Sequence, residues 1–177
     1  NIRLKAKKCK ICKKVFNPVR ELQLVCSLQC GFEYMNNLKQ KNWKKRKKKL
    51  KKELQTVQEL MKVAQVLFNK YVRLRDKAKG CISCNDKLDT KYDAGHYYSA
   101  GGHYAIRYHL DNCHAQCVHC NKWKHGALQE YRIGLIARIG IDRVNTLDEL
   151  ANKERRFSRE ELRKIIAIYK EKLKSTD

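Results

Sequence analysis

Acidic side chains are scarce in this sequence. Only 18 Asp and Glu stand against 41 Lys and Arg, a formal charge of +23. An excess of that size points to a polyanionic partner, held by counterion release that is strong, fast and salt-sensitive but blind to sequence. Long apolar runs are absent, which excludes a membrane-spanning helix. The basic stretches also lack an apolar face for lying on an acidic bilayer, so nucleic acid is favoured over a membrane surface. No apolar signal segment opens the chain, which argues against a secreted, disulfide-bonded framework and for a reducing cytosol. Proline is reduced to Pro18, and neither Gly nor Pro occurs between Phe32 and Lys79.

Against these absences stand nine cysteines in 177 residues. A chain this short has room for one ordinary domain or two small ones, and small cores need a staple. Spacing identifies the staple. Cys9-x2-Cys12 with Cys26-x3-Cys30, and Cys81-x2-Cys84 with Cys117-x2-Cys120, make two sets of four thiolates at tetrahedral-zinc spacing. Two structural Zn2+ ions are therefore expected, and Cys113, left over, reads as a small buried hydrophobe. The first set defines an N-terminal zinc module, residues 1–31, whose folding free energy would come largely from the metal.

Residues 32–80 read as one long Lys-rich helix that binds DNA or links the modules. Residues 1–80 hold 24 Lys and Arg against five Asp and Glu, and residues 81–177 hold 17 against 13. The charge peaks at Lys44, Lys45, Arg46, Lys47, Lys48, Lys49, Lys51 and Lys52, a run dense enough to repel itself unless phosphates compensate it. Beyond it, Leu54, Val57, Leu60, Met61, Ala64, Leu67, Phe68, Tyr71 and Leu74 recur three and four apart, an apolar stripe that must dock on the core or on a second chain.

After Gly80 the second cysteine set begins. Tyr92–Ala105 suggests a strand and an irregular loop, and alternation in Ala105–Leu110 suggests a second strand. A helix is expected from about Val118, then helices over 128–139 and 142–152. A last one is signalled by the capping box Ser158-x-x-Glu161. If one zinc closes Cys81, Cys84, Cys117 and Cys120, the intervening excursion is folded back against the helix after Cys120. Asn121 and His125, four apart, then share a helical face, with His96 and Asn112 able to face them. An imidazole base, an O/N cage and an amide that fixes the loop are what a one-metal phosphodiesterase needs.

These residues carry a family resemblance. Asp93-Ala-Gly-His96-Tyr97, Asn112-x-His114-x-Gln116-Cys117-x-x-Cys120-Asn121, Gly126 and Glu130-Tyr131 together resemble the HNH (ββα-metal) endonucleases, and specifically the phage NinG (Rap) recombination endonuclease family. The N-terminal Cys module, the Lys-rich helix and the final Ser-capped helix also match. The resemblance implies a nuclease core over 81–140 with C-terminal helices over 141–177 packed on it. The fold expected is thus α+β, mainly helical, with a zinc-stapled ββα-metal core. It further implies a DNA endonuclease acting with Mg2+ or Mn2+ on branched intermediates such as Holliday junctions and displaced loops, in the cytoplasm of a bacterial host.

By the same resemblance His96 is the general base and Asn112 orients its loop. Asp93 and Asn121 are ligands of the catalytic metal, and His125 is a further ligand one turn on, where relatives tend to have a small residue but carry Asn at the position of Ala127. His114 is open between touching the scissile phosphate and bracing the strand. Two symmetric cuts would suit a homodimer. A non-catalytic zinc-containing DNA-binding recombination accessory protein, or an RNA-binding zinc protein, is the competing expectation.

Overall fold

The computed structural model describes residues 4–88 and 91–175. The chain divides into two compact units, Asn1–Gln55 and Thr56–Asp177, and the fold is mainly helical with two small sheets.

In the first unit, β1 (Lys7–Lys8) and β2 (Val15–Phe16) form a two-residue antiparallel ladder around the Cys9–Cys12 turn. Helix α1 (Leu28–Glu53) starts where Ser27 accepts a hydrogen bond from the Cys30 amide, 3.2 Å, so the first helical turn carries Cys30. No residue of α1 is buried. Its charge is that of a solvated rod about 39 Å long at 1.5 Å per residue, and the eight basic residues between Lys44 and Lys52 are all exposed.

The single helix expected over 32–80 is two helices. Helix α2 (Val57–Asp76) restarts at Thr56 with a reciprocal capping box, the Glu59 amide to Thr56 Oγ1 at 3.2 Å and the Thr56 amide to Glu59 Oε2 at 2.8 Å. Neither Gly nor Pro is needed for the break, because the cap satisfies the orphan amides that a helix start creates. The apolar stripe lies on α2, where Leu60, Ala64, Phe68 and Val72 are buried. Its cover is the Ser158-capped α5 (Arg159–Lys174), with Leu162 and Ile166 against Leu60 and Ala64, and Tyr169 edge-on to Phe68 at 5.2 Å. The stripe is thus covered within the chain and is not free to zip two chains together. Leu54 falls outside α2 and is exposed.

The second strand also lies elsewhere than expected. β3 (Tyr92–His96) pairs antiparallel with β4 (Cys113–Cys117), from Tyr92↔Cys117 to His96↔Cys113. Residues 105–110 are instead irregular, with 3-10 turns at Tyr104–Ile106 and Leu110–Asn112. Asn112 therefore precedes β4 and does not end it. After Cys117 comes one π-type turn, His119–Trp123, where a longer helix was expected. Helices α3 (Leu128–Ile139) and α4 (Ile141–Ala151) follow and bury Tyr131, Leu135, Val144 and Leu147 against Ile82 and Ile106.

Helix α3 crosses the Cys81–Cys84 turn at Gly134, where an added Cβ would stand 1.8 Å from the Ile82 carbonyl oxygen. Backbone cannot yield as a side-chain tip can. Gly134→Ala should destabilise the fold by about 1–3 kcal/mol, read as a lowered midpoint in thermal denaturation. An unchanged midpoint would mean that α3 does not pack this closely.

Candidate active site and metal centres

Both cysteine sets converge. The four sulfurs of Cys9, Cys12, Cys26 and Cys30, and those of Cys81, Cys84, Cys117 and Cys120, lie within 4.8 Å of one another in each set. Separations of 3.4 Å (Cys12 to Cys26), 3.8 Å (Cys26 to Cys30) and 3.9 Å (Cys84 to Cys117) bracket the edge of about 3.8 Å set by a tetrahedron with Zn–S near 2.3 Å. All nine cysteines are free thiols, so the donor sets fit zinc. Burial works to raise the Cys9 pKa, but amides of Ile11, Cys12 and Cys26 directed at its sulfur bring it down to about 6. That amide cradle suits a thiolate ligand.

His96 stands at the end of β3, and its Nε2 lies 3.2 Å from the carbonyl oxygen of Arg107 and 3.4 Å from Gln65 Nε2. The buried Cys113 thiol lies 3.5 Å from Nδ1, and the ring packs on Phe68, 5.9 Å between centroids. Burial, with help from the Arg107 charge, lowers the His96 pKa despite that carbonyl. The imidazole is thereby neutral at pH 7.

Asn112 is fully buried. Its Oδ1 accepts from the Tyr98 amide at 2.8 Å, and its Nδ2 donates to the carbonyls of Tyr98 at 2.9 Å and Ile106 at 3.2 Å. One amide thus ties down the loop that leaves His96, on both faces of Tyr98. Asn121 Nδ2 donates to Asp93 Oδ2 at 3.0 Å, and Lys122 Nζ stands 3.8 Å from the same oxygen. His125 is exposed and lies beyond the π-type turn with φ +48°, so it does not share a helical face with Asn121. Even so, His96, Asn121 and His125 line one open cleft of about 600 Å³.

The divalent-ion expectation rests on the donor set alone. A carboxylate and an amide side by side, open to solvent, resemble a hydrated Mg2+ or Mn2+ site, which uses one or two protein carboxylates and completes its shell with water and phosphate. Among the described residues the groups of three or more carboxylates, imidazoles and thiolates close enough to share one ion are the two cysteine sets, so Asp93 belongs to no such group. At Gly95, just before His96, an added Cβ would meet the side-chain tip of Gln116, so a ligand there requires Gln116 to move.

His114 is a brace. It is 3% exposed, with Nδ1 at 3.3 Å from Asp76 Oδ2 and 3.1 Å from Arg75 Nη2, and it does not line the cleft. Tyr131, also fully buried, donates to the Gly95 carbonyl at 2.9 Å and accepts from the His114 amide at 3.0 Å, joining β3 to β4. Trp123 is 76% exposed between Lys122 and Lys124, and His119 is exposed. Asp76, Arg75 and Arg107 were missed from sequence, although Asp76 carries a signal: it sits four residues beyond Val72, on the buried row of Leu60, Ala64, Phe68 and Val72.

The family model described as Bacteriophage Lambda NinG protein matches residues 1–177. Protein ninG of Escherichia phage 933W is 34% identical over 186 residues, covering 95% of this chain and 92% of that protein. Its counterpart in Salmonella phage P22 is 34% identical, covering 92% and 89%. That of Escherichia phage lambda is 33% identical, covering 92% and 88%. No solved structure was found to match this chain.

Elemental analysis of protein purified under reducing conditions should find two zinc ions per chain, and Cys84→Ser should leave one. Full retention of the second ion would remove the Cys81 set from zinc binding. Acid sensitivity tests the brace. Burial, aided by Arg75 and Arg138, lowers the His114 pKa against the pull of Asp76, so the unfolded chain binds the extra proton first and stability falls as pH drops below the ordinary histidine value of 6.5. Urea unfolding at stepped pH should show that fall, shallower in His114→Gln. Equal slopes would mean that His114 titrates normally.

Proposed function

The chain belongs to the NinG family of bacteriophage proteins, and on that premise we propose that it is a metal-dependent, structure-selective DNA endonuclease that cuts branched recombination intermediates such as Holliday junctions and displaced loops. The observation that carries this reading is the cleft in which His96 stands beside Asn121 and His125, with Asp93 hydrogen-bonded to Asn121. Strand β3, strand β4 and the π-type turn that carries Asn121 follow the order of a ββα-metal core, with the turn in the place of the helix.

In this mechanism His96 takes a proton from water, which attacks the scissile phosphorus in line as the bond to the 3′ oxygen breaks and that oxygen takes a proton from solvent. Asn112 keeps the base in place by holding the backbone of Tyr98. Asp93 and Asn121 would hold the divalent ion, which supplies charge stabilisation to the phosphate and the departing 3′ oxygen when bound. Products then carry 5′-phosphate and 3′-hydroxyl ends. The eight exposed basic residues from Lys44 to Lys52 contribute phosphate contacts that raise affinity without reading sequence.

A second reading has its own observation. Lys122 stands 3.8 Å from Asp93, where its ammonium can compensate the carboxylate in place of a metal, as in a non-catalytic zinc-containing DNA-binding accessory protein. End-labelled four-way junction and matched linear duplex, incubated with magnesium, manganese or neither, separate the two. The nuclease reading expects metal-dependent nicking near the branch, lost by about two to four orders of magnitude in His96→Ala while junction binding persists. Tight junction binding without cleavage under either metal would select the accessory reading.

A further inference from the structure

We infer that the connection between α4 and α5 forms the floor of a groove for unpaired DNA that continues out of the catalytic cleft, so the C-terminal helices select the branch and are more than scaffold. This rests on the nuclease reading of the cleft. A second open cavity, about 720 Å³, lies under this connection, and His103 lines both it and the cleft that holds His96. The two are therefore neighbours across one side chain. His103 is held at that junction by Nδ1, 2.9 Å from the Ala151 carbonyl oxygen, and by its ring against Tyr98 at 4.9 Å.

The lining has the chemistry of a single strand's two faces. Lys153, Arg155 and Arg156 line the groove against one acid, Glu154. Arg155 is anchored by Glu161 at 2.9 Å and by the face of Phe157 at 5.2 Å, while Lys153 and Arg156 have no carboxylate partner among the described residues. Tyr104 supplies an aromatic surface, 43% exposed, with the Arg107 guanidinium 5.8 Å from its ring centre. A duplex keeps its base faces stacked inside and offers only phosphates and edges to such a groove. An unpaired nucleotide offers its face to Tyr104 and its phosphates to the cations.

Arg107 couples the groove to the chemistry. Its side chain is fixed by Gln65 Oε1 at 2.9 Å and the Ala100 carbonyl at 2.8 Å, and its own carbonyl oxygen lies 3.2 Å from His96 Nε2. A base stacked on Tyr104 thus lies one residue contact from the group that orients the base catalyst.

Fluorescence anisotropy tests this with labelled oligothymidylate, an abasic strand of equal length, oligouridylate and a duplex, without added divalent metal. Tyr104→Ala should weaken oligothymidylate binding roughly five- to a hundred-fold and leave abasic strand and duplex unchanged. Tyr104→Phe should restore it. Lys153→Ala with Arg156→Ala should weaken both single strands and make the salt dependence shallower, by about 0.7 in log–log slope for each phosphate lost. Retained zinc content and thermal midpoint certify the variants' folding. The groove is overturned by wild-type binding in Tyr104→Ala, by equal loss for all ligands, or by preference for oligouridylate over oligothymidylate. Junction cleavage with no Tyr104 effect on binding would discard the groove and keep the nuclease. The expected binding pattern without cleavage under any metal would keep the groove and discard the nuclease.

Discussion

A single buried carboxylate holds the second unit together. Asp76, at the last residue of α2, is fully inaccessible, yet it receives Arg75 at 2.6 Å, Lys79 at 3.3 Å and His114 at 3.3 Å, with Arg138 at 3.9 Å. Its Oδ2 also accepts from the Ala115 amide of β4 at 3.2 Å. Burial alone would push its pKa up, but hydrogen bonds and charge from His114 and Arg75 drive it well below the carboxylate range. One ion thus ties α2, β4 and α3, three elements far apart in sequence. Such a charge is costly to bury and costlier to leave unpaired. Its removal would strand Arg75, whose Nη2 also donates to the Cys113 carbonyl at 2.8 Å.

That constraint reaches the site through β4. Cys113, where Arg75 holds the carbonyl, pairs with His96 across the ladder and sets its thiol against His96 Nδ1. The next residue, His114, gives its amide to Tyr131, whose hydroxyl secures the Gly95 carbonyl just before His96. The His96 ring is therefore held from β4, from α3 and from the Arg107 carbonyl. A site held on rigid elements can keep a proton acceptor aimed at one point, which a loop-borne histidine could not.

Much of this was legible in the sequence where the signal is local. Thiol spacing located both cysteine sets, and helices α3, α4 and α5 begin and end within a residue or two of their Gly and Ser punctuation. The break between α1 and α2 was also written locally, as Thr56-x-x-Glu59, but it was outweighed by an uninterrupted run of helix formers. The second strand was misplaced for a different reason. Alternation over Ala105–Leu110 mimics a strand, whereas Ile106 is buried from a turn and the ladder belongs to Cys113–Cys117, anchored by the second cysteine set and by Asp76. The site shows the same division. His96, Asn112 and Asn121 came from motif order, while the burial of His114 depends on a carboxylate 38 residues away in the sequence. Ala127 illustrates a backbone reason hidden from composition. It sits at φ +45°, ψ +57° just before α3, a left-handed position that Asn adopts more readily than Ala.

Charge and shape are divided between the two units. Residues 1–55 hold 18 Lys and Arg against three Asp and Glu, while residues 56–177 hold 23 against 15. Counterion release by the first unit acts on any polyanion and cannot distinguish a junction from a duplex. On the proposed function, selection of a substrate would then come from the second unit, where the cation excess is smaller and concave surfaces exist. Its discrimination should resist salt better than its affinity does, because stacking and shape complementarity are screened far less than phosphate contacts. Raising ionic strength on the intact protein would then narrow binding toward the preferred structure even as total binding falls. A chain whose preference faded in step with its affinity would have its selectivity in α1.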